Sequence, residues 1–327
     1  MKLSVIGAGS FGTALAMLLV NKGNDVTLYG RNEVQMKMIA ATGGNHKYLP
    51  GVILPKELKT TSDLEEAVNG SELLVMAVPA QSFRENATRI ASIRKDLRIV
   101  NVAKGIERGT LKRMSEIAAE CFGDIPYACL SGPSHAEEVA RNLPTTVCVA
   151  SADPSFAKEV QLVFMDDNFR VYTNDDIVGV ELGGSIKNVI ALCCGISDGL
   201  GLGDNAKAAL ITRGIAEMTR LGIAMGGKPE TFAGLSGIGD LVVTCTSMHS
   251  RNRRFGILLG EGADITSALD RIGMVVEGYT TQEAVNELAN KYNVEMPITS
   301  TLHSLLERKT TAEECIGILM GRKEKHE

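Results

Sequence analysis

Five short stretches of this sequence hold residue types whose spacing can do chemistry. Gly7-Ala8-Gly9-Ser10-Phe11-Gly12 fits G-x-G-x-x-G, a turn that brings backbone N–H groups against a pyrophosphate. In that pattern Gly7 makes the tight turn, Gly9 leaves room for the phosphates, and Gly12 lets a helix pack closely on a strand. The anion then rests on a helix N-terminus, where unpaired N–H groups and the helix dipole favour negative charge. Such a turn can also serve packing alone. The context favours a nucleotide: a strand ends at Ile6, a helix starts near Ser10, and a second strand follows at 26–29. After that second strand comes Gly30-Arg31, with no acid to hold the ribose hydroxyls of NAD. Arg31 is either a solvated loop residue or a partner for the 2′-phosphate of NADP, so NADP(H) is favoured and NAD(H) stays open.

Three further stretches place cations and a carboxylate where a substrate would need them. Lys104 leaves a buried strand in front of Gly105, and in open α/β sheets ligands bind beyond the carboxyl ends of strands. Lys187 and Asn188 interrupt an otherwise apolar helical stretch. A buried ammonium is costly unless it is paired or its pKa falls, and a lysine near neutrality can exchange a proton with an alcohol or carbonyl. A lysine snorkelling to the surface is the equally weighted alternative. Asp240 and Thr244 lie four apart, on one face if their segment is helical, so Asp240 either orients Lys187 or caps the helix.

The fifth stretch is Ser250-Arg251-Asn252-Arg253-Arg254. Ser250 suits an N-cap, and arginine in a first turn opposes the helix dipole, which points to a bound phosphate monoester there. A solvated arginine face is the alternative.

These residues need elements to position them. Strands are expected at 2–6, 26–29, 72–79, 97–103, 127–130, 145–150 and 170–173, with helices at 10–22, 62–69 and 81–93. Alternation over about 170 residues predicts an α/β, Rossmann-type doubly wound sheet in residues 1–178. After that, strand-like runs vanish. Helical spacing at 181–197, 205–224, 252–259, 265–270, 280–291, 299–306 and 311–320 predicts an all-α C-terminal domain at 179–327. The charged end, 322–327, reads as a solvated tail.

Composition narrows the function. The chain has 327 residues, 44% hydrophobic and 22% charged, which excludes disorder as the main state. A net charge of −5 argues against nucleic-acid binding and against a membrane-surface role, though a local pocket can still be basic. No apolar run near bilayer length is expected, so no membrane span is predicted. Seven scattered cysteines without zinc spacing read as free thiols in a reducing compartment, and the start shows no signal-peptide pattern. A cytoplasmic protein without a metal follows. The 34 glycines, many at 7–12, 105, 132, 183–184, 199–203 and 237–239, are expected at turns facing a ligand.

The segments at 7–12, Ala77-Val78-Pro79-Ala80-Gln81, Ala103-Lys104-Gly105-Ile106-Glu107, Leu130-Ser131-Gly132-Pro133-Ser134, Lys187-Asn188, Gly201-Leu202-Gly203-Asp204-Asn205, Gly237-Ile238-Gly239-Asp240-Leu241 and Ser250-Arg251-Asn252 together resemble bacterial NAD(P)-dependent glycerol-3-phosphate dehydrogenase. The resemblance runs from residue 2 to about 320 in the family's order and spacing. It implies reversible reduction of dihydroxyacetone phosphate to sn-glycerol 3-phosphate, feeding glycerophospholipid synthesis, and a homodimer is the expected assembly.

By that resemblance Lys187 is the proton donor and acceptor, and Lys104 is shared between cofactor and substrate. Gly132, Ser134, Asp240, Ser250, Arg251 and Asn252 fall on substrate positions. Ser10, Phe11, Arg31, Ala136, Arg251, Val275 and Glu277 fall on cofactor positions, with Asn188 and Thr244 in support. The cations Arg31, Lys104, Lys187 and Arg251 are expected to serve one ligand crevice. His135 and Glu137 depart from the family pattern, which carries an aromatic residue and a lysine there, and a packing role for His135 is the expectation. Two other readings remain. A β-hydroxyacid dehydrogenase would bind a carboxylate rather than a phosphate, and a non-catalytic NADP-sensing module would bind cofactor without turnover.

Overall fold

The computed structural model describes residues 1–323, so the expected solvated tail lies, from residue 324 on, outside the described residues. The chain divides into two compact units, Met1–Lys104 with Lys112–Glu181, and Gly105–Leu111 with Leu182 onward.

The first unit alternates strands and helices: β1 (Lys2–Ile6), α1 (Ser10–Asn21), β2 (Asp25–Tyr29), α2 (Glu33–Thr42), β3 (Lys59–Thr61), α3 (Leu64–Asn69), β4 (Leu73–Met76), α4 (Phe83–Ile93) and β5 (Ile99–Asn101). It continues with α5 (Met114–Phe122), β6 (Tyr127–Ser131), α6 (Ala136–Ala140), β7 (Thr145–Ser151), α7 (Pro154–Phe164) and β8 (Phe169–Asn174). The strands form one sheet in the order β3-β2-β1-β4-β5-β6-β7-β8. Apolar residues cover both faces. Leu73 and Val75 of β4 join one cluster with α1, α6 and α7, while Leu74 and Met76 join another with α3, α4 and α5. This is the doubly wound arrangement of buried parallel strands.

Two features go beyond the expected alternation. β6 and β7 pair antiparallel, because the connection between them holds only the five-residue α6 rather than a helix that crosses the sheet. And α1 is not amphipathic: every residue from Gly12 to Val20 is buried.

In the second unit, helices dominate. α8 (Ile177–Gly199) carries the chain out of the first unit, and the expected boundary at 178 falls in its first turn. There follow α9 (Gly203–Ala224), α10 (Pro229–Phe232), α11 (Asp240–Thr246), α12 (Arg251–Gly260), α13 (Ile265–Ile272), α14 (Glu277–Lys291), α15 (Pro297–Leu306) and α16 (Ala312–Met320). α8 corrects one expectation, since its 23 residues are long and apolar enough, by length and composition, to cross a bilayer. Of its most apolar window, however, 83% is buried by the protein itself.

The glycines of this half are corrected too. Gly199, expected at a ligand-facing turn, lies instead with Gly195 on α8 against Gly256 and Gly260 of α12. A Cβ on Gly195 would stand 2.1 Å from Arg253 O, and one on Gly256 would stand 2.2 Å from Leu192 O. Glycine here lets two helix backbones approach. Gly183, likewise, is packed against Ser236 O at 2.6 Å from where its Cβ would be.

A buried carboxylate ties α9 to α15. Pro297 opens α15 and Met296 offers no side-chain cap, so the first N–H groups need an acceptor from elsewhere. Glu217 supplies it, accepting from Ile298 N at 2.6 Å and from Thr299 N and Oγ1 at 3.2 and 3.1 Å. Burial raises its carboxyl above the ordinary value, and the three hydrogen bonds only partly oppose that. The native state therefore holds this proton more tightly than the unfolded chain does. The group's contribution to stability is complete below about pH 4.3 and is lost as pH rises through the raised folded value. Chemical denaturation from about pH 4 to about pH 7 is expected to show wild type losing stability relative to Glu217→Gln. Parallel profiles would refute this.

Candidate active site

In the first unit the glycine turn joins β1 to α1, and its three glycines are there for three physical reasons. Gly7 has φ +120°, a region that strains any side chain, and its Cβ would stand 2.4 Å from Ala77 O. Gly12 has no room either: a Cβ would stand 2.0 Å from Gly7 O. Gly9 is the opposite case, with no atom within 4 Å of its Cβ position. Gly9 also caps α1 without a side-chain hydrogen bond, and the first turn holds no acid. An open approach to an N-terminus capped in this way fits a dinucleotide pyrophosphate. Ser10 donates its hydroxyl to Tyr48 O at 2.5 Å, and Phe11 packs part-buried on the apolar cluster. Arg31 stands exposed just beyond β2, at the carboxyl edge of the sheet.

Lys104 is held at the next carboxyl edge. The Asn101 side chain, at the end of β5, accepts from Ala103 N at 2.9 Å and donates to Ala103 O at 3.1 Å, fixing the backbone that delivers Lys104. Lys104 Nζ donates to Gly132 O at 3.0 Å, and Ser134 Oγ donates to the same oxygen at 2.9 Å. Gly132 has φ +140°, with its Cβ position 2.9 Å from Val147 Cα, so only glycine suits the turn. Lys104, Gly132 and Ser134 are thus one cluster. His135 and Ala136 follow, His135 at the N-terminus of α6 without capping it, and Ala136 buried against the apolar cluster.

The second unit builds its site around a buried ammonium. Lys187 is 6% exposed, Asp240 1% and Thr244 4%. Lys187 Nζ donates to Asp240 Oδ1 and, at 2.8 Å, to Thr244 Oγ1. The hydroxyl of Thr244 donates in turn to Asp240 O at 2.6 Å. Of the two readings left open by spacing, Asp240 does the first: it holds Lys187. A π-type turn, Leu235–Gly239, closed by Gly239 N to Gly234 O at 3.1 Å, leads directly into Asp240.

Asn188 points to a second group. It accepts from Asn252 Nδ2 at 2.9 Å, and Asn252 Oδ1 accepts from Gly278 N at 2.8 Å. Asn252 therefore links α8 to the start of α14, where Glu277 is the first helical residue and Val275 lies 42% exposed before it. Ser250 caps α12, accepting from Arg253 N at 3.2 Å. Arg253 is not part of a solvated face, since its Nε donates to Asp198 at 2.7 Å and its guanidinium also reaches Thr246 O. Arg251, the first residue of α12, is part-buried.

Sequence reasoning missed four supporting groups. Asp198 joins Arg253 to Lys207, both at 2.7 Å, and Asn101 positions Lys104. In the first unit Glu181 gathers Arg113, Ser115 and Tyr127, and its burial raises its carboxyl while those partners lower it. Asn45 braces the glycine turn. An acidic residue inside a run of apolar helix was a legible signal for Glu181, whereas Asn45 carries none, because its partners lie more than 30 residues away.

Gly9→Val should keep the fold, since its side chain meets open space, and should weaken NADP+ binding at least about tenfold in a fluorescence titration. Unchanged affinity would remove the glycine turn from the cofactor site.

Comparison with known proteins matches two family models. Residues 2–157 match the N-terminal region of NAD-dependent glycerol-3-phosphate dehydrogenase, and residues 176–317 match its C-terminus. The chain is 52% identical to glycerol-3-phosphate dehydrogenase [NAD(P)+] of Thermoanaerobacter sp., over 100% of this chain and 99% of that one. It is 53% identical to the Moorella thermoacetica protein of the same name, over 99% and 97%. A crystal structure of glycerol-3-phosphate dehydrogenase from Coxiella burnetii superposes with a TM-score of 0.95 at 43% identity, covering 98% of this chain and 99% of that one.

Proposed function

The chain belongs to the NAD(P)-dependent glycerol-3-phosphate dehydrogenase family, and from that premise we propose which of its residues carry the reaction. The enzyme reversibly reduces dihydroxyacetone phosphate to glycerol 3-phosphate with NAD(P)H, a step of lipid metabolism. The observation that carries the assignment is the buried Lys187 held between Asp240 and Thr244.

When bound, the nicotinamide supplies or accepts the hydride at the central carbon of the substrate. Gly7, Gly9, Ser10, Phe11 and Gly12 would hold its pyrophosphate, Arg31 the 2′-phosphate of NADP, and Ala136, Arg251, Val275 and Glu277 the rest of the cofactor. Lys187 gives a proton to the central oxygen during reduction and takes it back during oxidation. Asp240 keeps the Lys187 ammonium fixed, and Thr244 sets its direction. Lys104 adds positive charge as the oxygen becomes alkoxide-like, and its bond to Gly132 O holds it in place. Arg251, with Ser250 and Asn252, takes the phosphate, remote from the reacting carbon, so that binding energy there orients the reacting end. Gly132 and Ser134 shape the substrate loop beside Lys104.

Residues 1–178 are assigned mainly to cofactor binding, with Lys104, Gly132 and Ser134 serving the substrate, and 179–327 mainly to substrate binding and proton transfer, with Arg251, Val275 and Glu277 serving the cofactor. The seven cysteines are all free thiols, which supports the cytoplasm as the working compartment, and a homodimer is the proposed assembly.

Lys187→Ala is expected to lower kcat by about a hundredfold to ten-thousandfold while NADPH affinity stays within about threefold. Wild-type turnover in that variant would cancel its role. Arg251→Ala should raise KM for dihydroxyacetone phosphate by about a hundredfold, and an unchanged KM would put the phosphate elsewhere.

A further inference from the structure

The segment between α2 and β3 has no regular structure, yet it is tied down at both ends and in the middle. Gly43, in the left-handed region at φ +65°, ends α2, and Leu54 N returns to Gly43 O at 2.8 Å. Leu49 and Leu54 are buried in the sheet's apolar cluster. Between these anchors Asn45 is 1% exposed, deeper than a loop asparagine needs to be. Its backbone carbonyl accepts from Tyr48 and Leu49 N. Its side-chain Nδ2 makes two donations, to Ala8 O at 3.0 Å and to Thr13 Oγ1 at 2.8 Å. Gln35 Nε2, from α2, donates to the same Ala8 oxygen at 3.0 Å.

Two amide donors on one carbonyl fix the plane of the Ala8–Gly9 peptide. That bond is trans, so its C=O and N–H point in opposite directions. With the Ala8 oxygen held towards Asn45 and Gln35, the Gly9 N–H is turned the other way. Around Gly9 the Cβ direction is open, and the N-terminus of α1 follows without a side-chain cap. A loop of glycines would otherwise be free to flip this peptide and present an oxygen, which repels an anion.

We infer that Asn45, with Gln35 in support, is a positioning residue for the dinucleotide: it locks the Ala8–Gly9 peptide with its N–H presented to the pyrophosphate. The residue need not touch the cofactor. Its side chain reaches only the glycine turn, at the Ala8 carbonyl, and the first turns of α1, at Thr13 Oγ1, so it should act on the pyrophosphate and not on the adenosine end. The inference rests on the assignment of the glycine turn to the cofactor.

The test compares two probes by titration on the whole protein, NADP+ and adenosine 2′-monophosphate, which has no pyrophosphate. Asn45→Ala should raise the Kd for NADP+ about tenfold and leave that for adenosine 2′-monophosphate within about twofold. Gln35→Ala, on the part-buried side of α2, should give about a threefold rise with the same selectivity, and it carries the test should Asn45→Ala not fold. Wild-type NADP+ affinity in the folded variant, or equal loss for both probes, would overturn the inference. Gly9→Val, measured alongside, separates the two ideas. If it binds NADP+ normally, the glycine-turn assignment fails. If it loses NADP+ while the Asn45 and Gln35 variants do not, only the role of Asn45 fails.

Discussion

A single ammonium, taken out of water on an apolar helix, is the constraint to which the second unit answers. Leaving Lys187 without a partner would cost several kcal/mol, about 3–5 when one member of a buried pair is removed. Asp240 and Thr244 meet that cost, and they sit one helical turn apart so that both can reach the same nitrogen. The π-type turn leads directly into Asp240, and Gly183 on α8 lets the turn's backbone come close. Around this charge most of the neighbouring positions of α8 are apolar or small, and its other charged and amide side chains, Glu181, Asn188 and Asp198, each have partners of their own. Ile186, Val189 and Ile190 are fully buried, and glycines one turn apart admit the backbone of α12. On the same two helices Asn252 donates to Asn188.

The first unit works differently. Its positioning is done mostly by backbone atoms that polar side chains hold in place. Gly132 O gathers Lys104 and Ser134, Asn101 clamps Ala103, and Ala8 O takes two amide donors. Beneath these lies a buried polar group, Glu181 with Arg113, Ser115 and Tyr127. Satisfied networks of this kind are rigid, because each lost bond would strand a desolvated partner. One unit thus positions its polar groups through main-chain atoms, and the other through a buried pair of charged side chains.

Much of this was legible in the chain. The alternation of apolar strands and helices up to about 170, and the helical spacing beyond, follow from periodicity that the packed structure then uses. Lys187 stood out because a lysine amid Ile186, Val189 and Ile190 contradicts its surroundings, and Asp240 with Thr244 because four-residue spacing is a helix face. What was hidden falls into two kinds. α2 buries only Met36 and Ile39, and β3 is three polar residues, so neither carries a pattern that hydrophobicity can reveal. α5 and α7 do carry one: Met114, Ile117, Ala118 and Phe122 recur at helical spacing, and Asp153-Pro154 opens α7 ahead of Phe156, Val160 and Phe164 on one face. The second kind is non-local. The glycines of α8 and α12 resemble turn residues until two helices 60 residues apart in sequence are seen to cross, and Asn45 is an ordinary loop asparagine until Ala8 is beside it.

The extent of α8 has a consequence for how the chain is made. Its apolar surface is covered by segments as distant as Gly256 and Gly260, which leave the ribosome well after it does. At a synthesis rate of about 5–20 residues per second, Gly256 follows Gly195 only after several seconds. For that interval the Gly195–Gly199 face of this apolar helix lacks the segment that covers it. The burden on the cell is therefore a matter of timing: whatever shields the nascent chain must hold this helix until the crossing glycines arrive.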